Sequence, residues 1–171
     1  MSNATGQAGA YAKPRSDVVR ANPLRVTLAR ELGHEIDGAW WPRTAQIAGE
    51  LPDLVALLGT RLGKIIRINA NWSSLRRPPD LNWLGWQRKR QYIMTISGYN
   101  AQANLLIVPH STHSTLAILV LRQAADLPID STHRDSELFC AANSVLSAAR
   151  LQHASLIGDA STASDTNCPL T

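Results

Sequence analysis

The chain has 171 residues, 44% of them hydrophobic and 18% charged, which is the composition of a folded globular protein rather than a disordered or fibrous one. Residues 1–20 lack the apolar centre of a secretory signal, and the longest wholly apolar run, Leu116–Leu121, is far too short to cross a bilayer, so a cytoplasmic protein with no membrane partner is expected. The net charge of +4 is unevenly spread: Arg61, Lys64, Arg67, Arg76, Arg77, Arg88, Lys89 and Arg90 face Asp80 alone over 61–90, a net +7 that leaves −3 for the rest.

Residues 1–22 show no periodicity and read as a disordered tail, as do the small, polar residues of 154–171. A single domain over 24–153 lies between them. Arg25–Ala29 alternates with Val26 and Leu28 on one side, as a first strand does. Gly33–Trp41 is irregular. A helix is predicted from Thr44, with Pro52 in a first turn and Leu51, Leu54, Val55, Leu58 and Leu62 forming its apolar stripe before Gly63 stops it. Lys64–Trp72 alternates again: Ile66, Ile68, Ala70 and Trp72 share one face, and Ile65, Arg67, Asn69 and Asn71 the other, which is mostly polar.

Ser73–Asp80, with Pro78-Pro79, reads as a loop and Leu81–Arg88 as a short strand. Gln91–Ser97 alternates, turns at Gly98-Tyr99-Asn100, and pairs as a hairpin with the apolar-rich run Ala103–Val108, which Pro109 ends. Two helices close the domain. One, over 115–126, is apolar around most of its circumference; the other, over 133–151, has Asp130, Ser131 or Thr132 as cap candidates. Strands through the middle and helices at the end predict an α+β fold, an antiparallel sheet of four to five strands with about three helices packed on one side.

The segment Asp37-Gly38-Ala39-Trp40-Trp41-Pro42-Arg43 is the least ordinary stretch of the sequence. Pro42 biases Trp41 toward extended backbone, where neighbouring side chains point to opposite faces. The two indoles are therefore not expected to enter one core; one should pack and the other look toward a cleft or a covering loop. Read functionally, Asp37, Trp40, Trp41 and Arg43 would wall a small-ligand pocket, with one indole as a stacking surface. Read structurally, Asp37 pairs with Arg43 or caps a backbone while both indoles bury core edges, and this reading carries more weight because Trp is mostly buried.

With this segment, the Glu50-Leu51-Pro52 step into a Leu-rich helix, the Leu62-Gly63-Lys64 step into an Ile-rich strand ending at Trp72, and the Leu105–Pro109 run, the chain resembles a small actinobacterial family of unknown function over about residues 24–126. The resemblance implies one small α+β domain and assigns no catalytic residue. Around 80–104 the chain departs from the family's glycine-rich turns, carrying Trp83, Trp86 and Arg88-Lys89-Arg90 there.

Trp72, Trp83 and Trp86 interleave with Arg67, Arg76, Arg77, Arg88, Lys89 and Arg90, the arrangement in which indoles stack on bases and cations follow phosphates. The bland alternative is a solvated edge whose cations discourage strand pairing. Recognised nucleic-acid motifs, phosphate-binding glycine loops, nucleophile elbows and zinc-protease helices are all missing. His110-x-x-His113 falls short of the three or four ligands zinc needs, so neither metal nor cofactor is expected. A carboxylate at Asp37 or Glu35, beside His34 and the indoles, is the one candidate acid or base. The sum favours a non-catalytic binding or regulatory module, its partner a single-stranded nucleic acid or an acidic protein surface, over a ligand pocket or enzyme at Asp37, Trp40, Trp41 and Arg43.

Overall fold

A computed structural model describes residues 24–70 and 90–162, with side chains through 158. The expected strand at Leu81–Arg88, the loop Ser73–Asp80 before it, and residues 1–23 and 163–171 lie outside the described residues, whereas 154–162, expected as part of a disordered tail, is helical.

Among the described residues, five strands form one sheet: β1 (Val26–Leu28), β2 (Gly38–Trp40), β3 (Ile65–Ala70), β4 (Ile93–Gly98) and β5 (Gln102–Ile107). Among the described residues, three helices accompany them: α1 (Leu51–Leu62), α2 (Ser114–Ala124) and α3 (Glu137–Thr162). The spatial order is β1-β2-β5-β4-β3. The hairpin β4–β5 has the register Ile93↔Leu106 through Ser97↔Gln102, and β3 pairs antiparallel to β4 with an irregularity between Ile65 and Arg67.

The α+β class and five-stranded sheet agree with the sequence. Two details of the expected arrangement are corrected. First, the sheet is mixed, because β2 runs parallel to β5 with Gly38↔Leu105, Ala39↔Leu106 and Trp40↔Ile107 in register. A three-residue strand containing glycine has too little alternation to announce itself, so its pairing is decided by β5. Second, the helices cover both faces. Leu54, Leu58 and Leu62 of α1 pack on Trp40, Met94, Ile96, Ala103, Leu105 and Ile107, whereas α2 and α3 pack on Ala39, Trp41, Ile93 and Leu106. Strand β5 is buried at every residue after Gln102, as a strand enclosed between two helical layers must be.

Helix boundaries follow local chemistry. Pro52 sits in the first turn of α1, where its missing N–H costs nothing, and Gly63 ends the helix at φ 75°. Thr44 does not cap α1; its hydroxyl accepts the Gln46 N–H in a local turn, while Glu50 accepts the N–H groups of Arg43 and Thr44. Asp130 caps the 3-10 turn Ser131–His133, accepting the Thr132 N–H, which together with the adjacent groups holds its carboxyl below the usual carboxylate range. Ser136, not one of the expected caps, accepts the Phe139 N–H at the start of α3. That helix continues past residue 153, where the sequence turns small and polar, to Thr162.

Candidate functional site

The Trp-Trp segment divides as the extended geometry requires, and both indoles are buried. Trp40, wholly enclosed, enters the layer beneath α1, and Trp41, 7% exposed, enters the layer of α2 and α3. Trp41 donates its indole N–H to the His110 carbonyl at 3.3 Å and lies under the Arg25 guanidinium, 3.7 Å from the ring centroid. Arg25 also donates to the Pro42 carbonyl, and its burial together with the nearby Arg43 charge lowers its pKa, opposed by Glu50. Arg43 is half-buried, with its backbone N–H on Glu50. Of the four residues of the expected pocket, then, Trp40 and Trp41 are buried in the two cores, and the Arg43 backbone joins the turn into α1.

Asp37 has a different position. The residue is wholly buried, and its carboxylate accepts three backbone N–H groups: Gly33 at 2.7 Å and His34 at 2.9 Å on Oδ1, and Asn104 at 2.8 Å on Oδ2. Its own backbone joins β1 and β5, since the Ala29 N–H donates to its carbonyl and its N–H donates to the carbonyl of Asn104. Asn104 completes the knot by donating to the His34 carbonyl at 3.0 Å and accepting the Thr95 hydroxyl at 2.9 Å. Asp37 thus sits in a nest of peptide dipoles instead of an indole pocket, with the His34 Nδ1 3.6 Å from Oδ1 as its ionisable neighbour.

This knot forms one wall of an open cleft of about 390 Å³, lined by Gly33, His34, Glu35, Asp37, Gln102, Asn104, His153 and Ile157. The loop before β2, the start of β5 and the C-terminal half of α3 meet there. Helix α3 is held in place by Gln152, whose amide pairs with both the N–H and the carbonyl of Gln91 at 2.9 and 2.7 Å. His153, one residue on, is nine-tenths buried, and its Nδ1 has no hydrogen-bond partner among the described residues. Sequence reasoning noted His34 and Glu35 beside the indoles but did not reach Gln102, Asn104 or His153 as site residues. The available signal was Asn104 itself, a polar residue inside an apolar strand run. Nothing local linked it to a histidine about fifty positions downstream.

Some of the basic residues fall among the described ones. Arg67 and Asn69 lie exposed on β3, and Arg90 is exposed as well. Arg61 is committed to the fold, donating to the carbonyls of Ala29 and Arg30 at 2.7 Å each. Trp72, Arg76, Arg77, Trp83, Trp86, Arg88 and Lys89 lie outside the described residues. Among the described residues, no group of three or more His, Cys, Asp or Glu is arranged to hold a metal ion, and no helix is long and apolar enough to cross a membrane.

A family model described as a family of unknown function (DUF5994) matches residues 24–124, more than half of the chain. The chain belongs to this family. The DUF5994 match spans β1 through α2 and so contains the whole Asp37–Asn104 knot, whereas His153 and Ile157 come from α3 beyond it. No curated protein and no solved structure matches the chain.

Proposed function

We propose that this protein is a non-catalytic binding module whose ligand occupies the cleft between the 33–37 loop, β5 and α3. The supporting observation is the cleft itself, an open space of about 390 Å³ whose polar wall is fixed by the hydrogen bonds of Asp37 and Asn104. Concave sites with a few fixed polar groups are where small ligands bind. A binding role fits better than acid–base catalysis because three backbone N–H bonds occupy the Asp37 carboxylate and hold it as scaffold. The same bonds preorganise the wall, so that little order remains to be gained on binding. Small polar fragments screened by amide NMR should perturb Gly33, His34, Gln102, Asn104 and His153 together, and filling the cleft with Gln102→Trp should remove those responses with the fold retained. Responses clustered elsewhere would refute the assignment.

A second reading concerns the basic segment. The net +7 over 61–90 and the exposed Arg67 and Arg90 support a contact surface for a polyanion, a single-stranded nucleic acid or an acidic protein face. On this reading oligonucleotide affinity falls steeply as salt rises, by roughly tenfold or more over a fourfold increase for a few phosphate contacts, and replacing Arg88, Lys89 and Arg90 with Ala weakens it further. Affinity that is independent of salt counts against it.

A further inference from the structure

We propose that the free edge of β3 receives an extended acidic segment of a partner protein, added as a further antiparallel strand whose backbone pairs with Ile68 and Ala70 and whose carboxylates lie opposite Arg67 and Asn69. This rests on the reading of the basic segment as a contact surface for a polyanion, and adds which polyanion it takes and how it is held.

Backbone geometry is the first argument. Among the described residues, β3 closes one side of the sheet with β4 as its single neighbour. On β4 the Gly98 N–H donates to the Ala101 carbonyl and the Tyr92 carbonyl accepts the Ile107 N–H, so the even-numbered residues from 92 to 98 bond toward β5. Alternate residues of an antiparallel ladder bond to opposite neighbours, which leaves Thr95 and Ser97 to bond Asn69 and Arg67 of β3. The N–H and carbonyl groups of Ile68 and Ala70 therefore point away from the sheet. Among the described residues, nothing outside the ladder bonds to them. An unpaired row of this kind is a template for another strand, and antiparallel addition is the slightly more stable choice.

Side chains decide which strand fits. Ile66 is 59% exposed and Ile68 36%, an apolar surface that a solvated edge strand has no use for. Residues directly opposite in a ladder share a face, so Ile68 and Ala70, opposite Ile96 and Met94, stand on the α1 side of the sheet. Arg67 and Asn69, opposite Ser97 and Thr95, stand on the other side and are exposed. A strand that alternates apolar and acidic residues continues both faces at once. Charge then separates the candidate occupants. Lys64 and Arg90, which lead into β3 and β4, are exposed, and neither strand contains an acidic residue. Edge cations discourage strand pairing, and a second copy of this chain would bring its own net +7 over 61–90 against the first. A strand carrying carboxylates is attracted by the same charges.

The test uses the full chain with a capped peptide of alternating Glu and Val, its Lys-Val counterpart, the Glu-Val peptide N-methylated at every valine, and a short oligothymidylate. Amide hydrogen exchange by NMR follows β3. In the free protein the Ile68 and Ala70 amides should exchange faster than those of Arg67 and Asn69, and the Glu-Val peptide should slow them. The Lys-Val peptide should not bind, nor the N-methylated one, which keeps the charge but lacks the donors that face Ile68 and Ala70. Arg67→Glu, an exposed change, should lower Glu-Val affinity about threefold or more and admit the Lys-Val peptide. Ile68→Pro, which removes an outward N–H, should weaken binding as well. Equal binding of the N-methylated peptide, or Glu-Val affinity that Arg67→Glu leaves unchanged, overturns strand addition. Sedimentation showing a dimer that Ile68→Pro dissolves makes a second copy the occupant and overturns it too, as does protection of Ile68 and Ala70 in the free monomer. Binding of oligothymidylate but not of the Glu-Val peptide overturns it and leaves the polyanion surface standing. If neither binds, both readings fail.

Discussion

Asp37→Ala should lower the unfolding free energy by about 3–5 kcal/mol, as urea denaturation followed by tryptophan fluorescence would register. A hydrogen bond to a charged acceptor contributes roughly 1.5–3 kcal/mol, and a buried donor left unpaired costs about 1–3 kcal/mol. Three N–H groups depend on this one carboxylate. Those of Gly33 and His34 can turn to water after the substitution, because the loop lies toward solvent, but the Asn104 N–H is buried between the helical layers. The expected loss is therefore below the full sum. Asp37→Asn should fall between Ala and wild type: its amide oxygen can keep the two loop N–H groups, but its NH₂ would face the Asn104 N–H, donor against donor. An Asp37→Ala protein within about 1 kcal/mol of wild type would show that the knot is incidental to the fold.

Gly38→Ala is the second large effect, with a cost of about 3 kcal/mol or more. A Cβ at Gly38 would overlap the Thr27 carbonyl, an atom of the paired strand β1 and not the end of a flexible side chain. Relief requires β1 to move away, and β1 is also tied to α2 by the Thr27 hydroxyl on the Leu121 carbonyl. Overpacking in well-packed regions costs roughly 1–3 kcal/mol and more where backbone must shift. At roughly 2–4 °C per kcal/mol for a chain of this size, a thermal melt should show Tm lowered by about 10 °C. The same substitution at Gly59 is the control. That glycine lies within α1, and a Cβ added there would meet nothing within 4 Å, so Ala should stabilise by about 0.5–1 kcal/mol through helix propensity alone. Equal effects at the two positions would remove the steric explanation.

These two residues also show why the first part of the Trp-Trp segment reads as it does. Asp37 binds three backbone donors and Gly38 permits a close strand approach, so both have a structural role. The indoles follow the same logic, one to each helical layer, and the two-layer arrangement of the fold needs both.

Much of the fold was legible because it depends on short-range pattern. The stripe of Leu54, Leu58 and Leu62 marks a helix at any address, and the alternation of Ile93–Ser97 with its Gly98-Tyr99-Asn100 turn marks a hairpin. Adjacent residues of an extended segment point apart, so the divergence of Trp40 and Trp41 was likewise contained in the sequence. The site was barely legible. His34 and Glu35 could be suspected from their place beside the indoles, but Asn104 and His153 enter the same cleft from β5 and α3.

What the sequence by itself determined, then, was the identity of most elements and the separation of the two indoles, since propensity, periodicity and turn chemistry act over a few residues. Only the tertiary structure decided that β2 exists as a strand parallel to β5, that helices occupy both faces, and that both indoles go to packing while Asp37 borders the cleft. Each of those depends on hydrogen bonds and packing between residues tens of positions apart, and such pairings are fixed by the energy of the whole assembly rather than by any local preference.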